Sequence, residues 1–267
     1  MTPQKSADPK PAVLITGAST GIGAVYADRF AKRGHDLVLV ARDRAKLEAL
    51  AERLRRESGV AIDILPADLT DPADLAAVEH RVRSDKKIGI LVNNAGASLP
   101  GKFLDQSPDA VAKLITLNVT ALARLASAAA PRLVRAGTGA IVNISSVLSL
   151  APEVGSTVYS ATKAFVLSLS QGMQLELGPK GVYVQAVLPA ATRTEIWGKA
   201  GKNIDEVPGV MEVDELVDAA LIGFDRREAV TIPPLPDAGQ WEQFDGARRA
   251  LLPNFLNAEP AARYRVN

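Results

Sequence analysis

The sequence predicts an α/β fold: a doubly wound, mostly parallel seven-stranded sheet with helices on both faces. Three observations predict it. Short β-branched runs alternate with longer helical patterns from Pro11 onward. Those runs are almost continuously apolar, as parallel strands covered on both faces must be. A glycine-rich turn, TGASTGIG (16–23), follows the first run and opens a helical pattern.

The strand candidates are 12–16, 36–41, 61–67, 88–94, 139–145, 182–189 and 229–234. Between them, residues 43–59 and 71–85 are charged on one side and lined with Leu, Ala and Val on the other, the mark of helices lying on a sheet. Asp43 and Asp71 suit helix starts, and Gly34 and Gly59 follow helix ends. Further helices fall at 107–135 and 157–178. No linker divides residues 11–235, which read as one domain; residues 1–10 read as a polar, disordered leader without a signal peptide's apolar region. From Leu235 the chain changes to prolines, aromatic residues and two short amphipathic stretches, so 236–267 reads as a tail packing on the domain or on a neighbouring subunit.

Composition narrows the function. The 31 Lys and Arg nearly balance the 30 Asp and Glu, so no overall field draws the chain to nucleic acid or a membrane. There is no cysteine, hence no disulfide framework or thiol nucleophile. The two histidines, His35 and His80, read as solvated, which disfavours a Ser–His–Asp triad and a histidine metal site. No run approaches the length of a membrane span, and the expected location is the cytoplasm.

Chemistry concentrates in one constellation. Tyr159 and Lys163 lie four residues apart, one helical turn, and share a face. An ammonium beside a phenol favours the phenolate, so the pair predicts a Tyr159 pKa below its ordinary value of about 10. Ser146 lies thirteen residues earlier. Gly17, Gly21 and Gly23 allow a tight turn at a helix N-terminus, whose free N–H groups suit a pyrophosphate. Asp68 and Leu69 end the third strand and Asn93 to Gly96 the fourth, at the edge where such sheets bind ligands.

TGASTGIG (16–23), Asp68-Leu69, NNAG (93–96), Asn118 in TLNVT, Ser146 in NISS, Tyr159-x-x-x-Lys163 and Pro189 to Thr194 stand in a familiar order. Across residues 12–195 the chain resembles the short-chain dehydrogenase/reductase superfamily, in its single-domain branch of about 250 residues. The resemblance implies a Rossmann-like fold and a nicotinamide cofactor. It implies catalytic roles for Asn118, Ser146, Tyr159 and Lys163: Ser146 polarises the carbonyl oxygen, Tyr159 passes the proton, Lys163 also binds the nicotinamide ribose, and Asn118 holds a water leading to Lys163. The implied cofactor contacts are Gly17, Ser19, Thr20, Gly21, Ile22 and Gly23 in the loop, Arg42, Asp68, Leu69, Asn93, Ala95 and Gly96 at the strand ends, Tyr159 and Lys163, then Pro189, Thr192 and Thr194.

By the family's register Ala41 and Arg42 stand where an acidic residue would select an unphosphorylated ribose. Arginine suits a 2′-phosphate, so NADP(H) is expected, with NAD(H) possible through Asp43. Ser145 competes with Ser146 but is expected to point to the opposite face. Ala190 and Ser149 replace glycines usual in the family, and Arg193 reads as a surface ion pair. Residues 195–212 read as a mobile lid, and Leu99, Leu148, Leu150 and Val154 as an apolar wall. The expected activity is NADP(H)-dependent interconversion of an apolar ketone or aldehyde and an alcohol, in a homodimer or homotetramer, without nucleic acid, membrane or metal. The rival readings are a non-catalytic NADP(H) sensor, against which the complete catalytic set argues, and an extended-branch epimerase.

Overall fold

The structure, a computed structural model, describes residues 10–154, 156–195 and 203–265. Contacts divide the chain into two compact units, one ending at Pro233 and one beginning at Pro234.

In the first unit seven strands form one sheet: β1 (Ala12–Thr16), β2 (Leu37–Ala41), β3 (Ile62–Pro66), β4 (Ile88–Asn93), β5 (Gly139–Ile144), β6 (Val182–Val187) and β7 (Val230–Thr231). Their order is β3-β2-β1-β4-β5-β6-β7 and every pairing is parallel. The chain order reverses between β1 and β4, so a crevice opens beyond their carboxyl ends.

Alternate residues of each strand feed two separate cores. Val13, Ile15, Leu37 and Leu39 meet Tyr26 and Phe30 of α1 (Gly21–Lys32), Leu47 and Leu54 of α2 (Arg44–Ser58), and Val217 and Leu221 of α7 (Val213–Asp225). Leu14, Val38, Leu91, Ile141 and Val184 face the other way, onto Leu75 and Val78 of α3 (Pro72–Ser84) and Leu125 and Leu133 of α5 (Leu122–Ala136). Both faces are apolar because both are covered. The caps behave as their chemistry requires: Asp43 accepts from Lys46 N and Asp71 from Ala73 and Asp74 N, while Gly59 ends α2 at φ 72°.

Two expectations change. α4 (Pro108–Ile115) continues into α5, as the helix expected over 107–135 requires. It runs through a π-helical turn, Thr116–Ala121, into a 29-residue helical stretch, Pro108–Ala136, which by length and composition alone could cross a membrane. The expectation that no run approaches a membrane span's length therefore changes. His35 is not simply solvated either. It is half-buried, its Nδ1 lies 2.8 Å from the Pro11 carbonyl and its ring meets Phe30 edge-on at 5.4 Å, so burial pushes its pKa down. His80 is exposed on α3.

The second unit consists of α8 (Ala238–Arg249), capped by Asp237, followed by 3-10 turns Leu252–Leu256 and Ala262–Tyr264. Asp245 is buried and gathers Arg248 and Arg249, and Trp241 packs on Phe244. Leu251, Leu252, Phe255, Leu256 and Tyr264 remain exposed.

Candidate active site

The crevice is built by short polar clasps between chain segments far apart in sequence. Thr16, the last residue of β1, accepts through Oγ1 from the N–H groups of Asn94 and Ala95, both at 3.0 Å. The Asn94 amide returns the clasp, donating to the carbonyls of Thr16 at 2.9 Å and Gly17 at 3.1 Å. The loop after β1 and the NNAG turn after β4 are thereby one body.

That closeness explains two glycines. A Cβ on Gly23 would lie 2.3 Å from the Gly17 carbonyl oxygen, and one on Gly17, at φ 64°, would lie 2.9 Å from Ala95 Cα. These glycines let the loop fold onto its own helix and strand, rather than only letting a ligand approach. Thr20 at the start of α1 makes no side-chain cap, unlike Asp43 and Asp71 on α2 and α3. The first N–H groups of α1 are therefore left for an anion, and the loop fits a dinucleotide pyrophosphate. Ser19, Thr20, Gly21 and Ile22 are all partly exposed there.

The reacting groups gather beside this loop. Ser146 ends the segment after β5, and Tyr159 and Lys163 lie on α6 (Thr157–Leu177). Ser146 is near enough to Tyr159 to favour its phenolate, while its own Oγ accepts from Leu148 N at 3.2 Å and donates to the Pro189 carbonyl at 3.4 Å; the Lys163 ammonium lies 5.6 Å from the Tyr159 ring centre while donating to the Ile144 carbonyl at 2.8 Å. Ser145 points elsewhere, donating to the Lys163 carbonyl at 2.8 Å, so of the two serines Ser146 meets Tyr159. Ser156, just ahead of α6, holds a left-handed conformation at φ 57°, a strained turn of about 1–2 kcal/mol that sets the helix start three residues before Tyr159.

Asn118 sits in the π turn and is 1% exposed. Its Oδ1 accepts from Ala97 N at 2.9 Å, and its Nδ2 donates to the Ala97 carbonyl at 2.9 Å and to Thr162 Oγ1 at 3.1 Å. Thr162 in turn donates to the Tyr159 carbonyl at 2.7 Å. Asn118 thus ties the NNAG turn to α6. The π turn widens the helix at that point, as such turns often do at functional sites. Gly96 looks into the same space: a Cβ there would lie 3.4 Å from Asn118 Oδ1 and 3.5 Å from Lys163 Nζ.

The electrostatics differ from the expectation. Burial pushes Tyr159 up to about 12, and the neighbouring Ser146 hydroxyl only partly offsets it. Burial also pushes Lys163 down to about 8. The ammonium lies over the ring and bonds the Ile144 carbonyl, so it does not hold the phenol pKa down as the four-residue spacing suggests. At neutral pH the pair is a protonated phenol beside an ammonium that gives up its proton readily.

Other expected contacts divide. Asn93 is 2% exposed and gives its amide to Asn143 Oδ1 at 3.0 Å, in a chain leading to Ser170, so its side chain turns into the sheet and away from the edge. Leu69 is buried in the core beside α3, and Pro189 is buried with its carbonyl accepting from Val147 N. Such residues have only main-chain atoms to offer a ligand. Thr192 is buried, donates to the Ala190 carbonyl at 3.0 Å and pairs with Met211. Ala95 is partly exposed and Gly96 exposed at the strand edge.

Asp68 bonds Thr70 twice, at 2.9 and 2.7 Å, and faces Arg42 at 3.9 Å. Burial works to raise its pKa but is outweighed by the Thr70 hydrogen bonds and by Arg42, so it stays an anion. Asp43 spends its carboxylate on the α2 cap, while Arg42, just after β2, is exposed. Arg193 pairs with Asp205 at 2.8 Å and Glu212 at 2.9 Å, a surface ion pair as expected. Within the expected lid, residues 196–202 lie outside the described residues; 203–212 carry a 3-10 turn, Ile204–Glu206, held at its base by the Met211 and Arg193 backbone. Leu99, Leu148 and Leu150 are half-buried and Val154 is exposed. Thr16 and Asn94 fall inside the TGASTGIG and NNAG motifs, but their clasp, like the Thr162 bond to Asn118, joins distant segments and leaves no mark in local spacing.

A separate cavity of about 550 Å3 lies between α3 and α5. Its Arg124 is spent on Glu79 and its Arg132 on the carbonyls of Val82 and Ile88. None of its lining residues belongs to the strand ends.

A parallel doubly wound sheet with a glycine loop and a Ser–Tyr–Lys group at its carboxyl edge defines a dinucleotide-dependent dehydrogenase domain. The family profile "short chain dehydrogenase" matches residues 11–205, and the chain belongs to that family. It is similar to a short-chain dehydrogenase from Sphingobium yanoikuyae solved in complex with NADPH: 66% identical, TM-score 0.94, covering 96% of this chain and 100% of that one. It is also similar to the bulky-bulky ketone specific alcohol dehydrogenase from Comamonas testosteroni: 56% identical, TM-score 0.91, covering 97% and 100%. Among curated proteins it is 36% identical over 194 residues to human 17-beta-hydroxysteroid dehydrogenase type 3; the match covers 72% of this chain and 62% of that protein's length.

Proposed function

We propose that this protein is an NADP(H)-dependent oxidoreductase that interconverts a ketone or aldehyde and an alcohol. The observation that carries the reading is the meeting of Ser146, Tyr159 and Lys163, beside Gly96 and Asn118, at the edge where the glycine loop offers uncapped helix N–H groups. The NADPH held by the Sphingobium relative supports the choice of cofactor, as does Arg42 after β2.

The glycine loop from Gly17 to Gly23 would hold the pyrophosphate, Arg42 the 2′-phosphate and Asp68 the adenine. Main-chain atoms of Ala95, Gly96 and Pro189, with Thr192 and Thr194, would line the path to the nicotinamide, whose ribose lies against Tyr159 and Lys163. Bound NADPH supplies the reducing equivalent. Ser146 donates a hydrogen bond to the substrate oxygen as it gains charge, and the Tyr159 phenol gives that oxygen its proton. A Tyr159 pushed up to about 12 is fully protonated at neutral pH, the form reduction needs. Lys163, pushed down to about 8, can restore the Tyr159 proton at low cost. Asn118 keeps the NNAG turn and α6 in register.

The substrate is an apolar carbonyl compound, a reading supported by the walls of Leu99, Leu148, Leu150 and the exposed Val154, and by the ketone preference of the Comamonas relative. The assembly that the family supports is a homodimer or homotetramer. A cytoplasmic location is supported by the helix Pro108–Ala136 lying on its own sheet through Leu125 and Leu133.

The test is NADPH oxidation, followed by absorbance, over a panel of bulky ketones. Wild type should turn over, and Tyr159→Phe should bind NADPH normally while losing roughly 10²–10⁴-fold in rate. Wild-type turnover in the variant would refute the role of Tyr159. A wild type that binds NADPH yet reduces nothing would favour the sensor.

A further inference from the structure

The entrance to α2 carries four charged side chains, Arg42 and Asp43 just before the helix and Arg44 and Lys46 in its first turn, and they divide by direction. Asp43 caps its own helix, at 3.0 Å from Lys46 N, and Arg44 pairs along it with Glu48 at 3.5 Å. Arg42 and Lys46 instead reach out to other segments. Arg42 faces Asp68 at 3.9 Å on the β3 side, and Lys46 Nζ meets the Glu195 carboxylate at 3.3 and 3.5 Å, across 149 residues of sequence. Glu195 follows Thr194, whose methyl lies 3.4 Å from where a Cβ on Gly21 would stand. The stem of the 195–212 segment thus rests on the phosphate loop, and its carboxylate binds a cation at the entrance to α2.

A 2′-phosphate at the end of β2 carries close to two negative charges. The glycine loop offers it no cation, since Ala18, Ser19, Thr20 and Ile22 are neutral. Arg42 alone compensates part of that charge. The next outward-facing cation is Lys46, four residues on in the first turn of α2, and it is held by a carboxylate, which is a phosphate's nearest side-chain analogue.

We propose that Lys46 is a second specificity residue for NADP(H), and that Glu195 is the internal anion which occupies it until the 2′-phosphate takes its place. This inference rests on the NADP(H) reading above. Lys46 exchanges one anion for another, so the ammonium is never left unpaired. NADPH breaks the contact between α2 and the stem of the 195–212 segment. NADH, lacking the phosphate, leaves it closed.

The experiment is equilibrium titration of NADPH and NADH, by quenching of intrinsic fluorescence, on wild type, Lys46→Ala, Lys46→Arg, Glu195→Gln and the double variant Lys46→Ala/Glu195→Gln. Both side chains are about half exposed, so folding should survive. Lys46→Ala should weaken NADPH by roughly 3–10-fold, the low end for a charge-assisted bond, and leave NADH unchanged. Lys46→Arg should keep the wild-type preference. Glu195→Gln should tighten NADPH by roughly 2–5-fold by removing the competitor. In the double variant that gain should vanish, because Glu195 acts through Lys46. Equal weakening of both cofactors in Lys46→Ala, or a Glu195→Gln gain that survives without Lys46, would overturn the inference while leaving the oxidoreductase reading intact. Wild type that fails to bind NADPH would overturn both.

Discussion

Replacing Asn118 by Ala removes three buried hydrogen bonds at once: two to the Ala97 main chain at 2.9 Å and one to Thr162 at 3.1 Å. Each is worth about 1 kcal/mol net, so the loss is about 3 kcal/mol before any cavity cost. For a chain of this size that lowers Tm by roughly 6–12 °C. The same bonds hold the NNAG turn against α6, so the variant should also misplace Gly96 and Lys163 relative to Tyr159. A small misplacement of reacting groups costs roughly 10²-fold in rate. The assay is a thermal melt beside kcat and NADPH affinity on one preparation. Asn118→Asp refines it. The carboxylate still accepts from Ala97 N but donates to neither partner, and it puts an anion beside the Lys163 ammonium, which should raise the Lys163 pKa again. If the Tm falls as calculated while kcat and NADPH affinity stay at wild type, Asn118 is structural only and its catalytic role is refuted.

Three further outcomes are expected. Alcohol oxidation needs the Tyr159 phenolate and should climb with pH toward about 12, whereas reduction should stay flat at neutral pH; Ser146→Ala removes the one neighbouring hydroxyl that lowers the Tyr159 pKa and should move the oxidative rise to higher pH, as initial-rate profiles would reveal. Burial lowers Lys163 to about 8 from its ordinary 10.5, so below pH 8 the native state bears the full cost of the buried ammonium, and that cost fades as pH rises from 8 toward 10. Lys163→Met should therefore be more stable than wild type at pH 7, by roughly 2–3 kcal/mol, with the gap shrinking by pH 10; a gap independent of pH in denaturant melts would contradict this. Arg42→Ala should weaken NADPH by roughly tenfold and NADH hardly at all, the lower end of a charged hydrogen bond because Arg42 is well exposed. Equal weakening of both cofactors in parallel titrations would move the discriminating role to Asp43.

Local regularities in the chain carried most of the fold and the family. Strand runs, helix caps at Asp43 and Asp71, and the αL glycine at 59 depend on neighbouring residues and on backbone sterics, which any stretch of sequence displays. The Tyr159 and Lys163 spacing is of the same kind, because one helical turn is a local distance. The apolar continuity of the strands announced helices on both faces before any contact was known, since a strand covered once alternates and one covered twice does not.

Tertiary structure decided everything that depends on which chain ends meet and how deeply a group is buried. Thr16 and Asn94 clasp across 78 residues, Asn118 and Ala97 across 21, and Lys46 and Glu195 across 149. No spacing rule reaches that far, because such distances follow from strand order and crossover geometry. The direction of the Asn93 side chain, into the sheet rather than out to the edge, follows from strand register. Within the helix expected at 107–135, the π turn Thr116–Ala121 carries the buried Asn118 to its partners on the NNAG turn and α6. The pKa values reverse the expectation for Tyr159 for the same reason. Spacing reports that a lysine is near a tyrosine, but only the folded interior sets how much solvent each has lost, and desolvation of the charged form outweighs an ammonium placed over the ring.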